Sequence, residues 1–183
     1  MRRRAAWLLL LPLMLGGCGD RSLILTVDVL SFLDPSEVSQ SYTIPGGFSA
    51  DTVDVASESV NLLPGVEDVT DVVSATLKIG ASFDNQTGTA SGVLIIYIAS
   101  ADSTDPFTTT PIASLPFSLT PGNVTNVSTE VSSAALAQAM VHESARVGVR
   151  ITFDSTATPL LQFVAGTETI TQLLAVVITK KNL

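Results

Sequence analysis

The sequence predicts an all-β protein: a single antiparallel β-sandwich, immunoglobulin-like or jelly-roll, with one short helix near residues 133–143. Three observations predict it. Apolar residues recur at every second position in segment after segment, which lines them up on one face of a strand. Clusters of Gly, Pro, Asn and Asp separate those segments. The composition is rich in Val, Ile and Thr, whose β-branched side chains fit a pleated sheet better than a helix.

In chain order, Leu23, Leu25, Val27 and Val29 share one face of a strand over Leu23–Leu30. Asp34-Pro35 signals a turn, and Gln40–Ile44 can pair as a second strand. Pro45-Gly46-Gly47 breaks the chain again. Over 51–63, Val53 and Val55 alternate, while Val60–Leu63 reads as strand or loop. Val73, Ala75, Leu77, Ile79, Ala81 and Phe83 alternate with small polar residues and give the clearest half-buried strand. Asp84–Gly88 reads as the turn of a hairpin with Val93–Ala99.

Asp102–Pro111 is a polar loop, and Leu115, Phe117 and Leu119 alternate up to Pro121-Gly122. Val124–Val131 follows as a strand. Ser132-Ser133 then precede Ala134–Glu143, a run of helix formers that a serine can cap. Val147, Val149, Ile151 and Phe153 alternate, Leu160–Val164 reads as a short strand, and Ile170–Thr179 is the last long one. The total is roughly eight to ten strands, with no repeat of fixed period. The paired cysteines and strand tryptophan of true immunoglobulin domains are missing. Val93–Ala99 and Leu173–Ile178 are apolar on both faces, so something must cover their outer side. The candidates are the 134–143 helix, a long loop or another protein chain.

The first residues follow a different logic. Arg2-Arg3-Arg4 precede an apolar run over Ala5–Leu15, and Gly16-Gly17-Cys18 ends it. A basic start, a short apolar run and small residues make an export signal. The run is too short for a helix crossing a ~30 Å hydrocarbon core, which needs ~20 residues. Leu15-Gly16-Gly17-Cys18 resembles the lipobox of bacterial lipoproteins, a resemblance covering only about the first twenty residues. It implies cleavage between Gly17 and Cys18, a diacylglycerol on the Cys18 sulfur and an acyl chain on its new amino terminus. Two chains suffice for stable membrane anchoring where one is marginal. Gly19, rather than Asp, follows the cysteine, which favours the outer membrane if the source has one. The expected organisation is a signal peptide over 1–17, a lipidated tether over 18–22 and one domain over 23–183.

Cleavage would leave 166 of the 183 residues (183 − 17), enough for one domain with a real core. Three arginines leave with the signal, so 6 of the 9 basic residues face all 17 acidic ones, for a net charge of −11. An acidic domain repels phosphate backbones, which argues against nucleic acid as a partner. Net charge would not draw it to anionic headgroups either, so the lipid must hold it to the membrane. Cys18 is the single cysteine, so no disulfide can form and packing alone must hold the fold.

Little in the sequence points to catalysis. His142 is the lone histidine, and His142-Glu143-Ser144-Ala145-Arg146 has Arg146 where a zinc-protease helix needs its second histidine. Gly88-Thr89-Ala90-Ser91-Gly92 lacks the spacing of a nucleophile elbow. No catalytic residue, metal ligand or cofactor is assigned. Asp102–Asp105, and Glu67-Asp68 with Asp71, could offer oxygen ligands to calcium, though neither matches an EF-hand loop. Asn85, Asn123 and Asn126 begin formal glycosylation sequons and read as polar turns. The expected function is a non-enzymatic, membrane-anchored module that binds or scaffolds another envelope component or self-associates. The alternatives are a glycan- or calcium-binding module and, behind it, a carboxylate-dependent hydrolase.

Overall fold

The computed structural model describes residues 21–56, 60–61, 71–100, 102–132, 136–137 and 144–181. Ten strands carry the fold: β1 (Arg21–Asp28), β2 (Ser39–Pro45), β3 (Ser49–Ala56), β4 (Val60–Asn61), β5 (Asp71–Thr87), β6 (Ala90–Ser100), β7 (Ala113–Leu119), β8 (Asn123–Ser132), β9 (Ser144–Asp154) and β10 (Phe163–Lys181). One turn of helix, α1 (Pro35–Val38), separates β1 from β2.

The strands pair as a nested hairpin. β1 pairs with β10, β3 with β9, β5 with β8 and β6 with β7, all antiparallel. Two further antiparallel ladders, β10–β5 and β9–β6, roll that hairpin up. Two five-stranded sheets result, ordered β1-β10-β5-β8 and β3-β9-β6-β7, with β2 and β4 adding to β10 and β9. The first strand lies beside the last, as in a jelly roll. An immunoglobulin sheet would instead pair its first two strands with each other.

The core forms where the inward faces meet. Ala75, Leu77, Ile79, Ala81 and Phe83 of β5 are buried against Leu94, Ile96, Val149, Ile151 and Phe153 of the other sheet. Four rings lock one end: Phe83 stacks on Phe117 at 4.2 Å between centroids, and Phe153 meets Tyr42 at 5.1 Å and Phe117 at 5.7 Å. Gly92 makes room for this cluster. A Cβ there would collide with the Phe117 ring and the Thr152 carbonyl.

Several expectations need correction. β5 and β6 are joined tightly but lie in different sheets, so they do not form a hairpin. Asn85, expected in the turn, is buried inside β5, and Gly88 at φ 70° turns the chain across to the second sheet. Leu160–Val164 is not a strand: 155–162 is a loop, and β10 starts at Phe163. β1 begins at Arg21 and ends at Asp28, whose carboxylate accepts from the Leu30 N–H and starts a 3-10 turn over Val29–Phe32. Val73 is exposed rather than inward. Asp34-Pro35 is the start of α1, with Asp34 capping the Ser36 N–H. The helix expected over 133–143 falls mostly outside the described residues; within it, Leu136 and Ala137 are helical and Leu136 is fully buried.

Replacing Gly92 with Ala is expected to destabilise the domain by about 1–3 kcal/mol, the usual effect of overpacking a filled core. Urea unfolding will read this as a lower midpoint with an unchanged slope.

Candidate functional sites at the two ends of the sandwich

The jelly roll sorts its connections to two ends. The β2–β3, β5–β6, β7–β8 and β9–β10 connections lie at one end, called the apex here. The start of β1 and the end of β10 lie at the other, where Arg21 faces Lys181 and Ser22 faces Lys180. Gly17 and Cys18 fall outside the described residues, but Cys18 is only three residues before β1.

The apex exposes large apolar side chains. Phe48 is 56% exposed, Leu160 71%, Leu161 97% and Phe163 52%. They come from the β2–β3 connection, the 155–162 loop and the first residue of β10. These segments are bound to one another. The Ser155 N–H donates to the Phe48 carbonyl at 2.8 Å, and the Gly47 N–H donates to the Ser155 carbonyl at 3.0 Å. The Ser155 hydroxyl, fully buried, donates to the Pro45 carbonyl at 2.6 Å. The Gly46 N–H donates to the Gln162 carbonyl at 2.8 Å. Thr158, also buried, bridges to the β5–β6 turn: its hydroxyl donates to the Thr89 carbonyl and accepts from the Thr89 N–H. Leu161 alone among the described non-glycine residues has a positive φ, 72°, a conformation that strains a side chain with a Cβ.

Beneath the apex lies a buried polar cluster that sequence reasoning missed. The Tyr42 hydroxyl donates to Asn85 Oδ1 at 3.1 Å, and Asn85 Nδ2 donates to the Gly88 carbonyl at 2.8 Å. Glu168, on the inward face of β10 between Gln40 and Phe83 in register, is 4% exposed. Its Oε2 has no hydrogen-bond partner among the described residues. Burial pushes its carboxyl up from 4.5 to about 7. Burial, and then the charges of Glu168 and Asp84, push the Tyr42 hydroxyl up to about 12. The alternation of apolar residues could not reveal Glu168, because Thr167-Glu168-Thr169 reads as polar whichever face it takes.

The outer face of the second sheet is covered from within. The 102–112 loop folds back so that Phe107 packs edge-on against Tyr97 at 5.5 Å, and Pro106 is buried. Arg150 closes the stack, its guanidinium 4.6 Å from the Phe107 ring centre and bidentate to Asp54 at 2.7 Å. Gly148 lies beneath; a Cβ there would press on Phe107 and Pro106. Of the three candidates for covering Val93–Ala99, the long loop is the one seen. The outer face of β10 is less well covered: Leu174, Val176 and Ile178 are half-buried, and Ile24 beside Ile178 is exposed.

Nearer the apex, the same outer face holds an open groove of ≈ 500 Å³ lined by Ser49, Ser91, Ser118, Thr152 and Asp154 around Val93 and Pro116. Its lining has one carboxylate, Asp154. Hydrogen bonds from the Thr156 hydroxyl (2.6 Å) and N–H (2.9 Å) hold that carboxylate below its usual range.

The candidate calcium loop has structural work. Asp105 accepts from the Phe107 N–H at 2.9 Å and starts the turn that covers Tyr97. Glu67, Asp68, His142 and Glu143 lie outside the described residues, and Asp71 opens β5. Among the described residues no group of three or more His, Cys, Asp or Glu side chains could hold a metal, and no helix is long and apolar enough to cross a membrane.

No family model and no curated protein matches the chain. Solved structures of infectious bursal disease virus share distant similarity. The Gt strain structure is 10% identical with a TM-score of 0.48, covering 89% of this chain and 38% of that one. The Gx strain structure is 11% identical with a TM-score of 0.44, covering 88% and 38%. The VP2 subviral particle is 12% identical with a TM-score of 0.43, covering 89% and 38%. This chain therefore spans under two fifths of those chains, and the jelly-roll assignment rests on its own strand order.

Glu168 gives a pH prediction. Below pH 4.5 its carboxyl is protonated in the folded and unfolded chain alike. Between 4.5 and about 7 the folded chain keeps a proton the unfolded chain has lost. Stability then falls with rising pH, by up to about 1.4 kcal/mol per pH unit from this group, and levels off above 7. Glu168→Gln is therefore expected to match the native protein near pH 4 and to exceed its stability at pH 8. Denaturation curves that differ equally at both pH values would contradict this.

Proposed function

We propose that this protein is a lipid-anchored docking module of a bacterial cell envelope, outer-membrane in a diderm source. Cys18 carries the lipid, the jelly roll stands on that end, and the opposite end engages another envelope component without chemistry of its own. The supporting observation is the end-to-end separation of the two features. β10 runs from Phe163 at the apex to Lys181 beside Arg21. At ~3.3 Å per residue its 19 residues span up to about 60 Å. Only three residues separate Cys18 from β1, so a lipid there would hold the base of the sandwich at the headgroups.

Charge favours the same orientation. Arg21, Lys180 and Lys181 gather at the base, although the domain as a whole is acidic. Near an anionic leaflet each is worth about 1 kcal/mol. Net charge alone hid this arrangement.

A second reading has one specific support. The hydroxyl-lined groove beside Val93 and Pro116 is the right chemistry for a sugar edge, without an aromatic platform. Thermal shift across a glycan panel tests it, and no shift would remove it.

The anchor is tested by intact mass and fractionation. The protein taken from its native membrane is expected to begin at Cys18 and carry added acyl mass. Cys18→Ala is expected to leave the membrane fraction entirely. A mature chain without acyl mass would make the domain freely secreted and remove the main support for the proposal.

A further inference from the structure

We infer that the apolar apex, Phe48 with Leu160, Leu161 and Phe163, is the docking tip, and that it seats in a concave apolar pocket on another protein. The inference deepens the docking half of the reading above and does not depend on the lipid.

Exposure is the first observation. Four large apolar side chains at 52–97% exposure make a patch on the order of 500 Å², the size at which a surface patch marks an interaction site. The second is rigidity. Buried Ser155 and Thr158, with the Gly46 and Gly47 N–H groups, bind the apical segments together through main-chain hydrogen bonds. Leu161 is held in a left-handed conformation that only surrounding structure can maintain. A tip held this way has its ordering cost already met before binding, which favours a partner of fixed shape.

Three occupants compete. A fluid bilayer has no fixed shape and gains nothing from that geometry. The apical segments 39–49, 82–92, 116–126 and 151–170 also carry no Lys or Arg, while Asp84, Asp154 and Glu168 are acidic. Anionic headgroups would be repelled. A second copy meeting apex to apex would bury only the patch itself, short of the ~800 Å² per partner of a stable interface. A protein pocket with an apolar floor and a neutral or basic rim meets the shape, the area and the charge together.

The test places a photo-crosslinking residue at Leu161 in the lipidated protein in its native envelope, with Ser128, on the outer face of β8, as the control position. The expected result is a discrete protein adduct from Leu161 and none from Ser128. Excess purified Cys18→Ala protein should reduce that adduct at least tenfold. The same protein also carrying Leu161→Asp, its fold verified by circular dichroism, should leave it unchanged. A phospholipid adduct, an adduct of twice the chain mass, equal capture from both positions, no adduct, or equal competition by both proteins would each overturn the inference. Failure of the anchor would appear separately, as Cys18→Ala protein remaining in the membrane fraction.

Discussion

Inward side chains recur every second residue on a strand, so Ile170 and Leu173 cannot both face the core of a regular one. In β10 they do. Ile170 pairs with Ala81 and Gln172 with Gly80, which leaves Thr171 without a partner on β5. This bulge shifts the inward set from even positions, Val164 to Ile170, to odd ones, Leu173 to Thr179. Gly80 accommodates it, since a Cβ there would crowd the Thr171 hydroxyl. The edge partner of β10 also changes at this point, from β2 below residue 170 to β1 from Leu174 onward. The 3-10 turn and α1 occupy the chain between those two edge strands. One looped-out residue thus keeps β10 facing the core over its whole length and lets it bind both halves of the jelly roll.

Both ends of the molecule follow from that strand. Because β10 joins the β9–β10 loop to the paired base beside β1, whatever holds the base is as far as the fold allows from whatever the apex touches. The fold also explains how the apex tolerates its exposed leucines. The aromatic cluster of Tyr42, Phe83, Phe117 and Phe153 plugs the sandwich just below it, so the apical loops rest on a packed floor. Ser155 and Thr158, buried inside those loops, satisfy the main chain that would otherwise be left unpaired. Leu160 and Leu161 are then free to face outward without loosening the core.

Period-two alternation made most strands legible in advance. The inward set of β5, Ala75 to Phe83, is the one the sequence pattern predicts. What alternation cannot carry is partnership. β5 and β6 are neighbours in sequence with a glycine between them, which looks like a hairpin, yet each belongs to its own sheet. The deciding features were Asn85, whose amide is used inside the core, and Gly88, whose φ of 70° turns the chain across. Leu160-Leu161 misled for a related reason: an apolar pair reads as strand, and nothing local says that it points to solvent. The buried Glu168 and the pairing of Tyr97 with Phe107 are long-range products of topology, so no local pattern could reveal them. The lipobox is the reverse case, a purely local signal that owes nothing to the fold.

The most direct test of the end-to-end arrangement is a distance to the membrane. If Cys18 is acylated, a single introduced cysteine is the only free thiol, so a fluorophore can be attached in place of Lys180 or of Leu161 in lipidated protein reconstituted in vesicles. The account predicts strong quenching by spin-labelled lipids at position 180 and almost none at position 161, which stands tens of ångströms above the headgroups. Strong quenching at position 161 would put the apex on the membrane and contradict the account.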